Sequence, residues 1–353
     1  MNCHITSPAV ETVWIDPLCD SEWDRLVLSH SEFCFFHCSA WARVLNKTYG
    51  HEPAYLRFSR NGELLALMPM MDVRSSWTGR RGVSLPFTDF CSPLIFGEDG
   101  SKLVMAKLAE LALDRRWKYI EVRGGKAPQV SATPSTAFYG HSLDLRSGPT
   151  TLFSGCTSSV RRAVRKAERS GLSVRTLQTR EGVLEFYRLH VRTRRRHGLP
   201  PQPVSFFLNI HHEIIRTGLG FVVVASNEEH PVAAAIYFQM GNRAVYKFGA
   251  SDETALDARG NNLVMWEGIR FLAAKGVETL HFGRTSLNND GLRRFKLGWG
   301  AEEEKIEYFK FDPVAGSWLT EGDRTTGLHN AIFHRLPLAL NRLAGAILYP
   351  HLD

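Results

Sequence analysis

Residues 102–122, KLVMAKLAELALDRRWKYIEV, and residues 262–282, NLVMWEGIRFLAAKGVETLHF, align without a gap at an offset of 160 positions. Leu103, Val104 and Met105 recur as Leu263, Val264 and Met265. In each copy apolar residues fall at helical spacing, a basic turn follows, and an apolar strand closes the segment. Two alternating apolar runs precede each copy: residues 63–71 and 83–87 in the first, residues 232–239 and 244–249 in the second. A strand–strand–loop–helix–strand unit is therefore written twice, which predicts an α/β chain of two similar halves.

Length agrees with two halves, because 353 residues exceed what one hydrophobic core ordinarily serves. Residues 146–150 make the best internal break, so the expected division is 1–148, 149–320 and a helical tail, 321–353. In that tail Leu328, Ile332, Leu336, Leu340, Leu343 and Ile347 recur at helical spacing, with Pro337 breaking the middle. Around the repeat, short helices are expected at 21–28 and 41–49, and a hairpin at 54–58 and 63–71 turns on Asn61-Gly62. A Gly/Arg-rich loop is expected at 78–82, a Pro/Ser/Ala loop at 126–136 and a strand at 139–145. The second half opens with a basic helix, capped by Thr157, Ser158 or Ser159 and ended by Gly171. Helices at 181–197 and 205–217 follow, separated by GLPPQP (198–203).

Composition excludes several classes. No run of about 18 apolar residues suits a membrane span, and the N-terminus lacks the basic-then-apolar pattern of a signal peptide. The expected location is the cytoplasm, with peripheral contact at the inner face of the membrane open. Cys3, Cys19, Cys34, Cys38, Cys91 and Cys156 are too sparse for a disulfide framework. Cys34, His37 and Cys38 have no second ligand pair at zinc spacing, so no metal is expected. Walker, HExxH, Ser-elbow and Gly-x-Gly-x-x-Gly patterns are all absent.

Charge is concentrated. Residues 161–196 hold twelve Arg or Lys against three carboxylates, a local net of +9 within a chain of net +7. Such a segment attracts phosphates, nucleotides, RNA or an anionic lipid surface. Four segments carry residues that folding alone does not require. In VSLPFTDFCSPL (83–94), Asp89 sits among apolar neighbours, where it either closes a turn or orients a substrate amine or hydroxyl, and Phe87 is a candidate substrate contact. In YRLHVRTRRRHGLPPQP (187–203), Arg194, Arg195 and Arg196 complement a helix C-terminus or clamp a phosphate. In AVYKFGASDETALDARGNN (244–262), Tyr246 lies on a strand, and Arg259, Gly260, Asn261 and Asn262 open a helix whose N–H groups can cradle phosphate. In FGRTSLNNDGLRRFKLGWGA (282–301), Arg284 is a substrate-binding candidate. Lys296, between Phe295 and Leu297, is either an inward-pointing cation or a snorkelling stem.

These segments, with FFHCSAWARVLNKTYG (35–50), LLALMPM (64–70), SSVRRAVRKAERSGLSV (158–174), EYFKFD (307–312) and HRLPLALNRLAGAILYPHL (334–352), resemble the FemAB-like branch of the GNAT acyltransferase superfamily. The likeness is strongest to acetyltransferase-like proteins of exopolysaccharide and exosortase-associated clusters. It implies two tandem GNAT-like domains, each a mixed, mostly antiparallel sheet flanked by helices, around a shared cleft. It also implies acyl transfer to an amine or hydroxyl of a cell-envelope or exopolysaccharide precursor that bears phosphate or a lipid link. Carried over by motif, Lys296 stabilises charge, Tyr246 positions or relays a proton, and Arg195 or a neighbour holds phosphate; Asp89 is a further candidate base. Acyl-CoA is the expected co-substrate, held at Arg259–Asn262 without a tightly bound cofactor; DNA is not an expected partner. Aminoacyl-tRNA as donor and a non-catalytic membrane-apposed scaffold are the alternatives. Two features depart from the family pattern. The helical hairpin insertion of many tRNA-using members has no counterpart, and the Arg/Gln-x-x-Gly-x-Gly/Ala signature is reduced to Arg259-Gly260-Asn261-Asn262.

Overall fold

The computed structural model describes residues 10–97, 100–125, 132–320 and 333–352. In the first half, strands β1 (Glu11–Ile15), β2 (Glu52–Pro53), β3 (Tyr55–Arg60), β4 (Glu63–Met68), β5 (Met71–Ser75), β6 (Gly79–Val83) and β7 (Leu94–Ile95) precede helix α3 (Gly100–Asp114). Two helices, α1 (Trp23–Leu28) and α2 (Ser39–Tyr49), lie before the hairpin, and β8 (Ile120–Arg123) and β9 (Thr136–Asp144) follow α3. The second half runs α4 (Gly148–Gly155), α5 (Ser158–Arg169), β10 (Ser173–Leu177), α6 (Arg180–Arg196), α7 (Val204–Ile210), β11 (Gly220–Asn227), β12 (His230–Met240) and β13 (Arg243–Ser251). It continues with α8 (Gly260–Ala274), β14 (Thr279–His281), β15 (Thr285–Ser286), α9 (Asp290–Leu297), β16 (Glu302–Asp312) and β17 (Ser317–Leu319), and α10 (Leu338–Leu348) ends the fold. Among the described residues no helix is long and apolar enough to cross a membrane.

The repeat seen in sequence is a repeat in topology. β5 and β6 are antiparallel and β6 then pairs parallel with β8; β12, β13 and β14 do the same. Antiparallel β1, β3 and β4 match β10, β11 and β12. Pro69, which has no N–H to donate, separates β4 from β5, so the first half splits into two sheets where the second keeps one. The expected two-part α/β architecture is what forms, with one addition: the halves exchange strands. β9 of the first half pairs with β14 of the second, β16 of the second pairs with β8 of the first, and β9 and β16 pair with each other. The result is one continuous 13-stranded sheet.

Helices close both faces because their apolar stripes fit. Thr179 caps α6 through Gly182 N at 3.2 Å, Val183, Phe186, Tyr187 and His190 point inward, and Gly198, with φ 66°, ends the helix before Pro200. This face also receives α2, whose Arg43 and Lys47 pair with Glu213 of the second half at 3.0 and 2.6 Å. The other face holds α4, α5 and α8, and α3 covers the first-half sheet.

Some elements differ from expectation. Residues 78–82 are not a loop, because β6 runs through them. Gly82 is a strand residue whose missing side chain leaves room for the Trp117 ring, which is close enough to collide with any Cβ there. Residues 83–87 are not a strand, since Leu85 and Phe87 take positive φ of 62° and 59°. In the tail Pro337 does break the helix, with residues 333–335 helical before it and α10 after it, while Leu328, Ile332, Cys3 and positions 126–131 of the expected loop lie outside the described residues.

Candidate active site at a splayed strand pair

β13 and β14 pair over only three residues each, Arg243–Val245 against Thr279–His281. Beyond Val245 the strands part, and β13 continues as an open edge to Ser251. A β-bulge marks the same place: Ile236 faces Phe248 and Tyr237 faces Tyr246, so Lys247 is the extra residue. The bulge aims Lys247 into the fold, where its Nζ donates to Asp89 Oδ2 at 2.8 Å. Asp89 Oδ1 accepts from Arg284 N at 3.1 Å. A first-half carboxylate thus bridges both walls of the second-half notch. Gly283 permits this approach: its φ is 70°, and a Cβ there would stand 3.0 Å from Asp89 Oδ1.

Lys296 enters the notch from α9, 2% exposed, and donates to Gly283 O at 2.8 Å and Arg284 O at 3.1 Å. Burial pulls its pKa down to about 8, with Asp89 opposing and Lys247 adding to the drop. Burial of Asp89 would raise its pKa, but Lys247 and Arg284 outweigh that and hold it at about 2. The Lys247 amine is lowered by burial against the pull of Asp89. Arg284 donates to Tyr308 Oη at 2.6 Å and lies over the Phe138 ring; Tyr308 Oη donates to Asp89 O at 2.7 Å.

Sequence reasoning named Asp89, Arg284 and Lys296 separately, and the structure gathers them. Tyr246 shares the notch strand but packs against Tyr237 on the face covered by α8, its hydroxyl folded onto Gly249. Burial pushes that phenol up to about 12. Lys247 was missed; its one signal was a lysine inside an otherwise apolar strand. Phe87 lies elsewhere, in an aromatic cluster with Tyr49 and Tyr349. Arg194 is committed to the tail, bonding Pro200 O at 3.2 Å and Tyr349 Oη at 2.9 Å.

Two basic grooves lie on the second half, apart from the notch residues. One, about 590 Å³, is lined by Arg162 and Lys166 of α5, by Arg259 and Asn262 where α8 begins, and by Arg294 and Phe295 of α9. The basic helix and the helix N-terminus, marked independently in sequence, meet here. Arg259 takes φ 59° and caps α8 without its side chain, so the first-turn N–H groups beside Gly260 and Asn261 have no side-chain acceptor. The second groove, about 550 Å³, is lined by Arg192, Arg195, Arg196, Ser251, Asp252 and Leu338.

A parallel strand pair that opens into a notch, set in a strand order that the chain repeats, defines a tandem GNAT-type fold. Residues 154–306 match the family model described as an acetyltransferase (GNAT) domain. Solved structures agree at the level of fold. FemX superposes with a TM-score of 0.66 at 14% identity, over 84% of this chain and 96% of FemX. A tandem GNAT protein from the clavulanic acid biosynthesis pathway gives 0.54 at 12% identity, over 86% of this chain and 99% of that one. L-PGS from Bacillus licheniformis gives 0.54 at 14%, over 90% and 96%. The chain shares its fold with these three proteins. A search of curated proteins finds no match.

Proposed function

We propose that this protein is an acyltransferase that moves an acyl group from a phosphate-bearing thioester, acyl-CoA, to an amine or hydroxyl of a cell-envelope or exopolysaccharide precursor. The carrying observation is that Arg162, Lys166, Arg259 and Arg294 line one groove at the N-terminus of α8. Guanidinium groups and free helix N–H groups suit a pyrophosphate, and an open strand edge suits the amides of a donor arm. The acceptor amine or hydroxyl attacks the thioester carbonyl, whose oxygen gains charge; collapse breaks the C–S bond, and the proton that the acceptor gives up is passed on to the leaving thiolate. Lys296, a buried cation in the notch, is suited to stabilise that charge away from water. Tyr246, protonated at neutral pH, is suited to give the leaving thiolate its proton. Asp89, held near 2, is a poor base and serves to fix Lys247 and the Arg284 backbone. Arg195 and Arg196, in the second groove, suit acceptor phosphate.

The exposed basic face of α5 supports one competing donor, an aminoacyl-tRNA. Thermal-shift titration with CoA, acyl-CoA, UDP-sugars and bulk tRNA at low and moderate salt separates the two. The expected result is stabilisation by acyl-CoA, lost in Arg259→Ala. Stabilisation by tRNA alone, disappearing with salt, would replace acyl-CoA as donor, and indifference to every ligand would remove the transferase reading.

A further inference from the structure

Helix α10 is packed the opposite way to an ordinary surface helix. Its buried positions are Asn341 and Gly345. Asn341 Nδ2 donates to Leu199 O at 3.4 Å, and Gly345 sits so near Pro201 O that any Cβ would overlap it. Asn341 and Gly345 hold the middle of the helix to the body, Leu338 and Leu348 are half-buried at its ends, and the remaining large apolar residues face outward. Leu340, Leu343 and Ile347 are 52%, 57% and 50% exposed. They occupy i, i+3 and i+7, one continuous stripe. The stripe runs on into the chain end, where His351 stacks on the exposed Trp77 ring at 4.1 Å and Leu352 is also exposed.

A soluble helix gains by burying leucines, so a stripe held outward by a specific polar dock is a surface made to be covered. What covers it is indicated by charge. Residues 333–352 contain Arg335 and Arg342 and no Asp or Glu. The groove between α10 and α6 adds Arg188 and Arg192, and the neighbouring groove that Leu338 also lines adds Arg195 and Arg196 beside Asp252, which pairs with Arg192, and Glu253. Apolar stripe, aromatic edge and arginine flank together match the boundary between acyl chains and anionic headgroups.

We infer that α10, with Trp77 at its end, seats this protein on the surface of an anionic phospholipid bilayer. This goes beyond the acyl-transfer reading and does not depend on it, since the test reads binding alone. The full chain is sedimented with sucrose-loaded vesicles of phosphatidylcholine, with or without phosphatidylglycerol. Binding to the mixed vesicles that weakens with salt is expected. The triple change Leu340→Ser, Leu343→Ser, Ile347→Ser should lower partitioning about a hundredfold, since each side chain gives up roughly half its burial. Leu343→Glu, a single exposed change, should also release the protein by bringing a carboxylate to the anionic surface. Wild-type protein left in the supernatant with both vesicle types overturns the inference, as does undiminished binding of either variant. Light scattering after size exclusion tests the competing occupant: a wild-type dimer that the triple change makes monomeric overturns the inference and assigns the stripe to a second copy.

Discussion

Replacing Lys296 by Met separates what this side chain does for the fold from what it does for the site. Burial lowers its pKa from 10.5 to about 8, a change that corresponds to ~3 kcal/mol. Below about 8 folded and unfolded chains both hold the proton, and the folded state bears the whole cost. Between about 8 and 10.5 the folded chain has released a proton that the unfolded chain keeps, so stability rises with pH. Met keeps the stem and removes the charge. It also removes the bonds to Gly283 O and Arg284 O, each worth about 1 kcal/mol or somewhat more. The two effects nearly cancel, so at neutral pH the variant should lie within about 1 kcal/mol of wild type, or above it. Urea unfolding at pH 7 and near pH 10 is the assay. Wild type should gain about 2–3 kcal/mol over that interval relative to the variant. Turnover should vanish while acyl-CoA still raises the melting temperature. A variant about 3 kcal/mol less stable at pH 7, with an unchanged pH slope, would refute the reasoning, because Lys296 would then be a structural cation.

Asp89→Asn strands the buried Lys247 amine, bonded at 2.8 Å in the wild type, and should cost about 3–5 kcal/mol in denaturant unfolding. Adding Lys247→Met should recover much of that loss. The folded pKa of Asp89, about 2, lies below its ordinary 3.8, so its contribution is complete above 3.8 and is lost as pH falls through 2; acid unfolding of the double variant should lack that component. Tyr246→Phe should lower turnover about a hundredfold with donor binding intact, and unchanged single-turnover rates would remove Tyr246 from the reaction. Gly345→Ala drives a methyl into Pro201 O and should undock α10 at a cost of about 1–3 kcal/mol or more, seen as faster protease cleavage near residue 338.

Sequence revealed the repeat because helix and strand periods are local, and the matching triads Leu103-Val104-Met105 and Leu263-Val264-Met265 sit in equivalent helices, α3 and α8. It singled out Asp89, Arg284 and Lys296 because each is an ionisable residue in a setting that folding did not require. It could not show that they meet. Asp89 and Arg284 are 195 residues apart, and their contact depends on a loop of one half reaching a strand end of the other. Lys247 was hidden because the bulge shifts the alternation by one residue, so that Val245 and Phe248, three positions apart, share a core face and a strict period of two misplaces the lysine between them. β6 was hidden for the reverse reason: its glycines read as loop, yet Gly82 makes room for Trp117.

The strand exchange decides whether the two halves are separable, although the chain break at 148–149 is clear in sequence. A chain of residues 149–320 alone would leave β14 without β9, and β16 without β8 and β9. Three strand edges, one on β14 and two on β16, would open in the middle of a sheet, where unpaired backbone groups invite aggregation. Lys247 would lose Asp89 and face Phe36 and Trp41 no longer. The second half therefore holds most of the chemistry but should not perform it alone. Expressed separately it should aggregate or lack cooperative unfolding, and co-expression with residues 1–148 should restore a soluble complex that binds the same donor. A soluble, cooperatively folding 149–320 fragment with full donor affinity would mean that the exchanged strands are dispensable and that each half carries its own core.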